Sequence, residues 1–472
     1  MIDAHRRRLL SASAATIAGA VLPRGAWPQP AAPRVPLPAF IDELERRTFD
    51  WFWETTPASG LTFDRWPSPS PCSIAAVGFG LTAYGIGAER GWVARADAAQ
   101  RTLTTVRFFR DAPQGPQPTG KAGYRGFFYH FLDVATGERY EDCELSTVDT
   151  ALLLAGMLFA RAYFNRDDAV EAAIRSAVDT VYARVEWDWA QPRAPLICHG
   201  WTPEKEFIRY DWQGYNEAML VYLLALGAPE HPVTPEAWQG WTRRYGDAWG
   251  VLYGFEHLTF APLFGHQYSH TWYDFRGVQD EFMRGKRIDY FENSRRATQA
   301  QRAYAIANPM HWRQYGENVW GLTACDGPAN TGRLYLGDAR RFRGYSARGV
   351  SMERFVDDGT IAPTAAGGSI AFAPEIVIPA LQEMRSRFGE VIYGRYGFLD
   401  SFNPSFNYDG RLAYGHRVAD FGWVDNDYLG IDQGPILAMI ENHRSDLVWR
   451  TMRGHPAIRL GLQRAGFAGG WL

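Results

Sequence analysis

A carboxylate, an amide and an aromatic side chain stand together just before a strongly apolar stretch of the sequence. They belong to residues 214–218 (Gly-Tyr-Asn-Glu-Ala), which precede the apolar residues 219–226. A buried helix can hold a carboxyl group firmly while the loop before it presents a substrate, as general acid catalysis requires. Glu217 is therefore a candidate general acid. Its alternative role is to complement the dipole of the helix that follows.

Two further carboxylates flank the start of another apolar stretch, residues 151–160. Glu144 and Asp149 are five positions apart, and Ser146 lies between them. Ser146 and Asp149 fit a capping box loosely, because Asp is shorter than the Glu of that motif. One of the two acids could be the second carboxylate of a hydrolase, and the other would then be structural. Capping or ion pairing is the alternative role of either residue.

The composition indicates a sugar ligand. Aromatic residues make up 15% of the chain, with 18 Trp, and many of them fall in predicted loops. Pyranose rings have apolar C–H faces and hydroxyl rims, so they suit aromatic side chains that stand beside Asp, Asn and Arg. The alternative is that a large helical protein packs its loops with aromatic residues.

Two motifs resemble metal sites but lack essential ligands. His266 and His270 are four positions apart, as in a zinc helix, but Gln267 stands where a metalloprotease needs Glu. Asp425 begins an Asp-rich stretch whose remaining calcium-ligand positions carry aromatic and aliphatic residues. The sequence also contains no P-loop, dinucleotide or Gly-x-Ser-x-Gly fingerprint. We therefore expect no metal and no cofactor.

Helices must position these residues, because helical periodicity dominates the sequence. Residues 40–54 carry an apolar stripe at helical spacing. More apolar helices are predicted to begin, at intervals of about 70 residues, near Ile74, Ser146, Asn216, Tyr290, Ile361 and Pro435. Amphipathic helices are predicted between them at residues 94–110, 168–185, 235–245 and 378–387.

This alternation predicts an all-α fold, an (α/α)6 barrel with minor β-hairpins in its loops. Residues 127–133 and 369–373 are the candidate strands, and an irregular α-solenoid is the alternative fold. Parallel inner helices would bring their leading ends to one mouth of the barrel. The polar residues expected to meet there are Ser73, Glu144, Asp149, Asn216, Glu217, Asn293, Glu375, Asp432 and Gln433.

The N-terminal residues predict export. A cluster of three arginines at residues 6–8 precedes a mildly apolar run and a Pro/Ala-rich stretch, which is typical of a twin-arginine signal. The run is too weakly apolar to span a bilayer permanently. We assign residues 1–32 to a signal peptide and leader and 33–472 to a single catalytic domain. A disordered basic tail is the alternative for the first segment.

Charge and cysteine content exclude other classes of partner. The formal net charge of −3 leaves no basic footprint for nucleic acid. The four cysteines are widely spaced without a Cys-x-x-Cys pair, so we expect free, mostly buried thiols. We predict a periplasmic or secreted monomer without a membrane span in the mature chain, and an oligo- or polysaccharide as its partner.

Eight short motifs then follow one another between residue 60 and the C-terminal region. They are Gly60-Leu-Thr-Phe-Asp-Arg, Ser73-Ile-Ala-Ala-Val-Gly-Phe, Phe128-Tyr-His, Ser146-Thr-Val-Asp-Thr-Ala-Leu, Gly214-Tyr-Asn-Glu-Ala, Gln267-Tyr-Ser-His-Thr-Trp-Tyr-Asp-Phe-Arg-Gly, Trp320-Gly-Leu-Thr-Ala-Cys-Asp-Gly and Gly430-Ile-Asp-Gln-Gly-Pro. With these motifs the chain resembles the bacterial glycoamylase-like family, which includes glycoside hydrolase family 144, the β-1,2-glucanases. The resemblance runs from about residue 40 to the C-terminus.

The resemblance implies an (α/α)6 barrel, an exported hydrolase without a metal, and an inverting mechanism. It also implies that Glu217, in the Gly-Tyr-Asn-Glu motif, is the general acid, whereas it assigns no base. One departure is Cys325, which stands where such proteins often have Ser.

We therefore predict an exported glycoside hydrolase of β-glucan, above all β-1,2-glucan or its oligosaccharides. Glu217 would protonate the glycosidic oxygen, and Asp149 or Glu144 would help water attack the opposite face. A helix N-terminus lowers the pKa of an acid, so aromatic neighbours must desolvate Glu217 enough to raise it. The predicted sugar-binding residues are Asp64, Arg65, His130, Trp201, Tyr215, Tyr273, Asp274, Arg276 and Trp320.

Two other functions remain open from the sequence. A polysaccharide lyase can use the same barrel, but it needs groups that neutralise a uronate and a Tyr or His base. A non-catalytic glycan-binding protein of the cell envelope would bind glucan without releasing reducing ends.

Overall fold

The computed structural model of the protein describes residues 35–472. The predicted signal peptide and leader, residues 1–32, lie outside the described residues. Within the described part of the chain, every helix is too short or too polar to cross a membrane. All four cysteines are free thiols, and three of them are buried.

Helices dominate the described residues, as the periodicity predicts. They are α1 (Ala39–Thr55), α2 (Ile74–Glu89), α3 (Arg95–Asp111), α4 (Thr147–Tyr163), α5 (Ala169–Ala183), α6 (Met219–Gly227), α7 (Glu236–Thr242), α8 (Tyr245–Ala248), α9 (Tyr268–Trp272), α10 (Glu281–Lys286), α11 (Tyr290–Ala307), α12 (Pro363–Gly367), α13 (Pro374–Ile392), α14 (Gly430–Ser445), α15 (Leu447–Arg453) and α16 (Pro456–Arg464). A 3-10 turn, Leu263–His266, precedes α9.

Six of these helices are buried along all or nearly all of their length: α2, α4, α6, α9, α12 and α14. Most of them are apolar or small-residue on all sides, which is the pattern of a helix without a solvent face. Helices α2 and α4 approach most closely, because a Cβ added to Gly156 would lie 2.0 Å from the carbonyl oxygen of Gly78. Helix α2 also packs on α14, and α4 on α6.

The amphipathic predictions are confirmed by α3, α5, α7 and α13, which bury one face each. The prediction of a buried helix at Tyr290 is wrong, because α11 is also amphipathic and the buried helix of this region is α9. Helix α9 has five residues, Tyr-Ser-His-Thr-Trp, and a single turn shows no periodicity to read.

The predicted strand at residues 369–373 is also wrong. This segment continues α12 as buried turns, in which Ser369 N–H donates to the carbonyl oxygen of Ala366. Its short apolar run, preceded by two glycines and followed by a proline, could not be distinguished by pattern from a buried strand. The other prediction, residues 127–133, is confirmed by two short strands, Phe127–Tyr129 and Phe131–Leu132.

The strands are short and lie in the loops. They are β1 (Arg65–Trp66), β2 (Cys72–Ser73), β3 (Gly123–Tyr124), β4 (Phe127–Tyr129), β5 (Phe131–Leu132), β6 (Leu145–Ser146), β7 (Gly200–Thr202), β8 (Glu206–Phe207), β9 (Trp249–Leu252), β10 (Phe255–Leu258), β11 (Ala324–Cys325), β12 (Thr331–Tyr335), β13 (Asp338–Phe342), β14 (Ser346–Ala347), β15 (Gly349–Val350), β16 (Phe355–Val356), β17 (Tyr393–Gly394), β18 (Gly397–Phe398), β19 (Phe402–Asn403), β20 (His416–Val418), β21 (Gly422–Val424) and β22 (Tyr428–Leu429).

The largest sheet has five antiparallel strands in the order β3-β4-β6-β7-β8. Its register places Tyr129 opposite Leu145 and Ser146 opposite Gly200. Strand β6 ends where α4 begins. The sheet therefore fixes the loops that surround the leading end of one buried helix.

Candidate active site

Glu217 stands two residues before α6 and is anchored through its own backbone. The Ser269 hydroxyl, on α9, donates to the carbonyl oxygen of Glu217 at 3.2 Å and accepts from Leu220 N–H at 3.0 Å. The Asn216 side chain accepts from Ala218 N–H at 2.9 Å and closes the turn. Two buried helices thus hold the acid at the start of α6.

The carboxyl of Glu217 is desolvated. Its Oε2 atom is buried and has no hydrogen-bond partner among the described residues. Burial raises the pKa of Glu217 to about 7, its own backbone N–H opposes that shift, and the charge of Asp149 adds to it. The adjacent aromatic residues Tyr215 and Trp212 are 3% and 8% exposed. Desolvation therefore raises the pKa of Glu217 by more than the helix N-terminus lowers it.

A second group of titratable side chains lies beside this acid. His130 Nδ1 is 2.9 Å from Glu144 Oε1, and His130 Nε2 is 3.6 Å from Asp149 Oδ2. The three side chains keep 30%, 34% and 12% of their surface exposed, respectively. We call these residues together with Glu217 the open cluster. It combines a buried, proton-holding acid with carboxylates that solvent reaches.

The local fold explains how the open cluster assembles. His130 directly follows β4 and Glu144 directly precedes β6, so the pairing of these strands sets the two residues opposite each other. Asp149 lies in the first turn of α4, where the Ser146 hydroxyl accepts from Asp149 N–H at 3.2 Å. The predicted capping role of this motif is therefore present, and the Ser146 hydroxyl also donates to the carboxylate of Asp149.

His130 is held as a cation. Burial alone would lower its pKa, but Asp149, Glu144 and Asp64 raise it to about 9. The same hydrogen bond and charge from His130 outweigh burial at Glu144 and lower the pKa of that carboxyl. The ligand atoms of His130, Glu144 and Asp149 lie within 4.8 Å of one another, a spacing that could suit a metal. A protonated imidazole has no free lone pair, so this trio fits an ion-pair network better.

A cavity of about 170 Å³ opens beside the cluster. Its lining consists of Asp64, Arg65, Ser73, His130, Phe131, Asp149, Tyr345, Leu429 and Ile431. Three of the predicted sugar-binding residues, Asp64, Arg65 and His130, are among them. Arg65 donates to Asp326 at 2.5 Å and lies 3.4 Å from Asp64, which fixes its guanidinium in the wall. The mixture of carboxylates, a guanidinium and aromatic rings matches the chemistry of a pyranose.

Tyr345 is a cavity residue that the sequence analysis missed. The residue is 49% exposed and lies in the cavity wall, whereas burial of its hydroxyl raises the pKa of Tyr345 well above the usual range. It stands in the loop between β13 and β14 and belongs to no recognised motif. An aromatic residue in an irregular loop gives no signal in the pattern that separates a ligand-binding ring from a packed one.

The remaining predicted sugar-binding residues lie elsewhere than in the cavity lining. Trp201, Tyr273 and Trp320 are buried in the hydrophobic core. Tyr215 is buried too, next to Glu217. Asp274 and Arg276 pair with each other at 2.7 Å and join a network of ion pairs with neighbouring helices.

The predicted meeting of helix starts is also incomplete. Ser73 and Asp149 line the cavity, and Asp149 acts electrostatically on Glu217. Asn293 instead hydrogen-bonds the backbone of Leu258, and Glu375 pairs with Arg295 at the surface. Asn293 and Glu375 lie in the first turns of the amphipathic helices α11 and α13, so they do not stand at the start of any of the six buried helices.

A second acidic group lies deeper in the protein, behind Arg65. Asp326, Asp400, Asp425 and Asp432 are each at most 4% exposed. Each has one carboxylate oxygen that is buried and unpaired within the described chain. We call these four residues the sealed cluster. The sequence pointed to Asp425 and Asp432 as parts of a defective calcium loop, and to Asp432 also as one of the polar residues expected at the barrel mouth.

The sealed cluster is stabilised by bound protons. Burial, followed by the charge of Asp400, raises the pKa of Asp326 to about 7 and that of Asp425 to about 10. The same two causes raise the pKa of Asp432 well above its usual range. Three of the carboxylates offer ligand atoms within 4.8 Å of one another. At these pKa values the carboxyls share protons at neutral pH, and a metal ion would have to displace those protons.

Comparison with known proteins places this geometry in context. Residues 209–456 match the family model Glycoamylase, described as "Putative glucoamylase". A curated relative from Parabacteroides distasonis, an exo β-1,2-glucooligosaccharide sophorohydrolase (non-reducing end), is 29% identical over 90% of this chain. The chain spans 57% of the length of that relative.

Solved structures resemble the whole described fold. A "putative glucoamylase" from Bacteroides uniformis is 31% identical with a TM-score of 0.77, covering 93% of this chain and 100% of its own. The endo-β-1,2-glucanase from Chitinophaga pinensis, solved with sophorotriose and glucose, is 26% identical with a TM-score of 0.77, covering 92% of this chain and 99% of its own.

Proposed function

Because the chain belongs to the glycoamylase family, we propose that it is a glycoside hydrolase that cleaves β-1,2-glucan or its oligosaccharides. Two relatives named for this linkage support the substrate. The single observation that carries the proposal is Glu217, a half-buried residue with one buried carboxyl oxygen, whose pKa of about 7 lets it hold a proton at neutral pH. It stands beside Asp149, the charge of which acts on it directly.

The proposed reaction is a single displacement with inversion. Glu217 gives its proton to the glycosidic oxygen as the C–O bond breaks. Asp149 takes a proton from the water that attacks the anomeric carbon on the opposite face. The new hemiacetal has the inverted configuration, and the proton on Asp149 returns to Glu217 through solvent. Atoms and charge balance without a cofactor.

His130 and Glu144 would support Asp149. The His130 cation lies between the two carboxylates, 2.9 Å from Glu144 and 3.6 Å from Asp149. Glu144 thereby fixes the imidazolium, which in turn positions Asp149. In this assignment Asp149 is the base, and Glu144 acts through His130.

We also propose that the six buried helices form the inner ring of an (α/α)6 barrel. In support, α2 packs on α4 and α14, α4 on α6, α6 on α9, and α12 on α14. Gln267, at the start of α9, donates to the Ala365 carbonyl oxygen of α12 at 2.8 Å. Each buried helix thus has a neighbour on both sides within the set.

Export is a separate proposal that rests on residues 1–32. The arginine cluster and apolar run there are typical of a twin-arginine signal, which would deliver the folded enzyme to the periplasm or beyond.

Product analysis on a panel of linear glucans tests the proposal. We expect the enzyme to release short oligosaccharides from β-1,2-glucan but not from β-1,3-, β-1,4- or α-linked glucans. Proton NMR at early times should show the α-anomer of the new reducing end. An unsaturated product that absorbs in the ultraviolet would indicate a lyase, and binding without any product would indicate a non-catalytic glucan-binding protein.

A further inference from the structure

One large aromatic side chain, in the loop that follows β8, is mostly exposed to solvent. Tyr210 is 70% exposed and is the most exposed tyrosine among the described residues. A single exposed aromatic residue is common on protein surfaces and needs no function. What distinguishes Tyr210 is the element on which it stands.

Tyr210 is carried by the same sheet as the open cluster. His130 N–H donates to the Glu144 carbonyl oxygen at 2.9 Å between β4 and β6. On the next strand pair, Thr147 N–H donates to the His199 carbonyl oxygen at 3.1 Å. The backbone N–H of His199 in turn donates to the Tyr210 carbonyl oxygen at 2.9 Å. The chain from β8 therefore continues the hydrogen-bonded edge that holds His130 and Glu144. Tyr210 is rigidly placed relative to them.

A row of rings connects this tyrosine to the start of α4. The rings of His199 and Trp212 are stacked, 3.6 Å apart, and Tyr210 lies 6.2 Å beyond His199. Trp212 Nε1 donates to the Thr147 hydroxyl at 2.9 Å, two residues from Asp149. Burial lowers the pKa of His199 to about 4, so its ring is neutral at the middle of the row. The row leads outward from the catalytic carboxylates to solvent.

The loop of Tyr210 is clamped on both sides. Arg193 donates to the Ile208 carbonyl oxygen at 2.7 Å and to both carboxylate oxygens of Asp211 at 2.7 and 2.8 Å. Cys198 and Asp211 also form a β-bridge. An exposed ring on a fixed backbone loses little conformational freedom when a ligand covers it.

We propose that Tyr210 is the platform of an outer sugar subsite, which binds a glucose unit beyond those that touch the open cluster. The proposal rests on the function proposed above and deepens it. The C–H face of a pyranose would lie on the phenol ring, and the exposed side chains of Arg209 and Gln213 would bond its hydroxyls. The cavity of about 170 Å³ is small, so only chains that extend past it would reach this platform.

The test is affinity as a function of chain length. β-1,2-Gluco-oligosaccharides of increasing length are titrated by calorimetry into the inactive variant Glu217→Gln, with and without Tyr210→Ala. Removing a stacking surface should weaken the binding of long chains about two- to tenfold and leave the shortest ligands that bind unchanged. Tyr210→Phe should keep the full length dependence, and Tyr210→Gln should lose it as Tyr210→Ala does.

Tyr253→Ala is the matched control. Tyr253 is also exposed, at 37%, but it stands in the turn between β9 and β10 and contacts Tyr304. It should change no affinity. The subsite would be overturned if Tyr210→Ala left the affinity for every chain length the same as in the parent variant. It would also be overturned if Tyr210→Ala weakened the binding of all chain lengths by the same factor. Failure of the parent variant to bind any glucan would overturn the proposed function as well, which separates the two failures.

Discussion

The two acidic clusters of this protein hold carboxyl groups in opposite environments. In the open cluster, His130 and Ser146 contact Asp149, and solvent reaches His130, Glu144 and Asp149. In the sealed cluster, Arg65 is the cation paired with Asp326 at 2.5 Å, and the four carboxyls are at most 4% exposed. Burial raises pKa values in both, but solvent reaches the side chains of the first cluster far more than those of the second.

The difference shows what turns a raised pKa into a candidate catalytic group. Asp425, with a pKa of about 10, holds its proton too tightly to give it up during turnover at neutral pH. Glu217, with a pKa of about 7, is matched to that task. Strong perturbation alone would select the sealed cluster, whereas access together with a moderate shift selects the open cluster.

The largest effect should come from Glu217→Gln. The amide keeps the size of the side chain but cannot protonate the leaving oxygen, so kcat on β-1,2-glucan should fall about a hundred- to ten-thousandfold. Steady-state rates and thermal melting measure this, with Glu230→Gln as control, because Glu230 is exposed. Near-normal turnover of an unactivated glucan by Glu217→Gln would remove the acid assignment.

Asp149→Asn and Glu144→Gln should differ from each other. Loss of the base should lower kcat about a hundredfold or more. Glu144 acts only through His130, so its loss should cost about tenfold, as expected for one positioning contact to a charged group. Both rates are measured on the same glucan. A larger loss in Glu144→Gln than in Asp149→Asn would exchange the two roles.

The rate should also decline at alkaline pH. Glu217 is active only while protonated, and its pKa is about 7, so kcat/KM should fall about tenfold per pH unit well above that value. In Asp149→Asn the alkaline decline of the residual activity should begin at a lower pH. The reason is that removal of the neighbouring charge lowers the pKa of Glu217. An unchanged limb in that variant would show that another group controls it.

The smallest effect concerns the sealed cluster and appears in stability. Carboxyls whose pKa is raised by folding stabilise the protein fully below their unfolded pKa of about 4, and this stabilisation is lost as the pH rises toward 7 and 10. Raising the pH from about 5 to about 8 should therefore lower the Tm of both proteins. The decrease should be smaller in Asp425→Asn than in the parent, by about 2 °C. Asp409→Asn, at a 92% exposed side chain, is the control. Identical pH profiles would contradict shared protons in this cluster.

Part of the fold and of the candidate site could be predicted from the sequence. Long helices such as α2, α4 and α14 have a clear pattern, and Glu217 and Asp149 could be placed at helix starts because polar loops precede apolar runs. Helix α9 could not be found, since one turn has no period. Trp201, Tyr273 and Trp320 are of the same residue types as ligand-binding aromatic residues, and only three-dimensional packing shows that they are buried.

The sealed cluster marks the other limit. Asp326, Asp400 and Asp425 come from three separate segments, and their meeting depends on the paths of loops that have no periodicity. The same holds for Tyr345, which reaches the cavity from an irregular loop. Sequence patterns place residues on elements, but long-range loop contacts decide which residues share a site.

The protonation of Glu217 is the central claim and can be measured directly. Protein labelled with carboxyl-13C glutamate is titrated by NMR, and the Glu217 signal is assigned by its absence in Glu217→Gln. A buried carboxyl that serves as the acid should titrate with a pKa of about 7. A pKa at or below 4.5, the ordinary value for glutamate, would contradict the assignment of Glu217 as the proton donor.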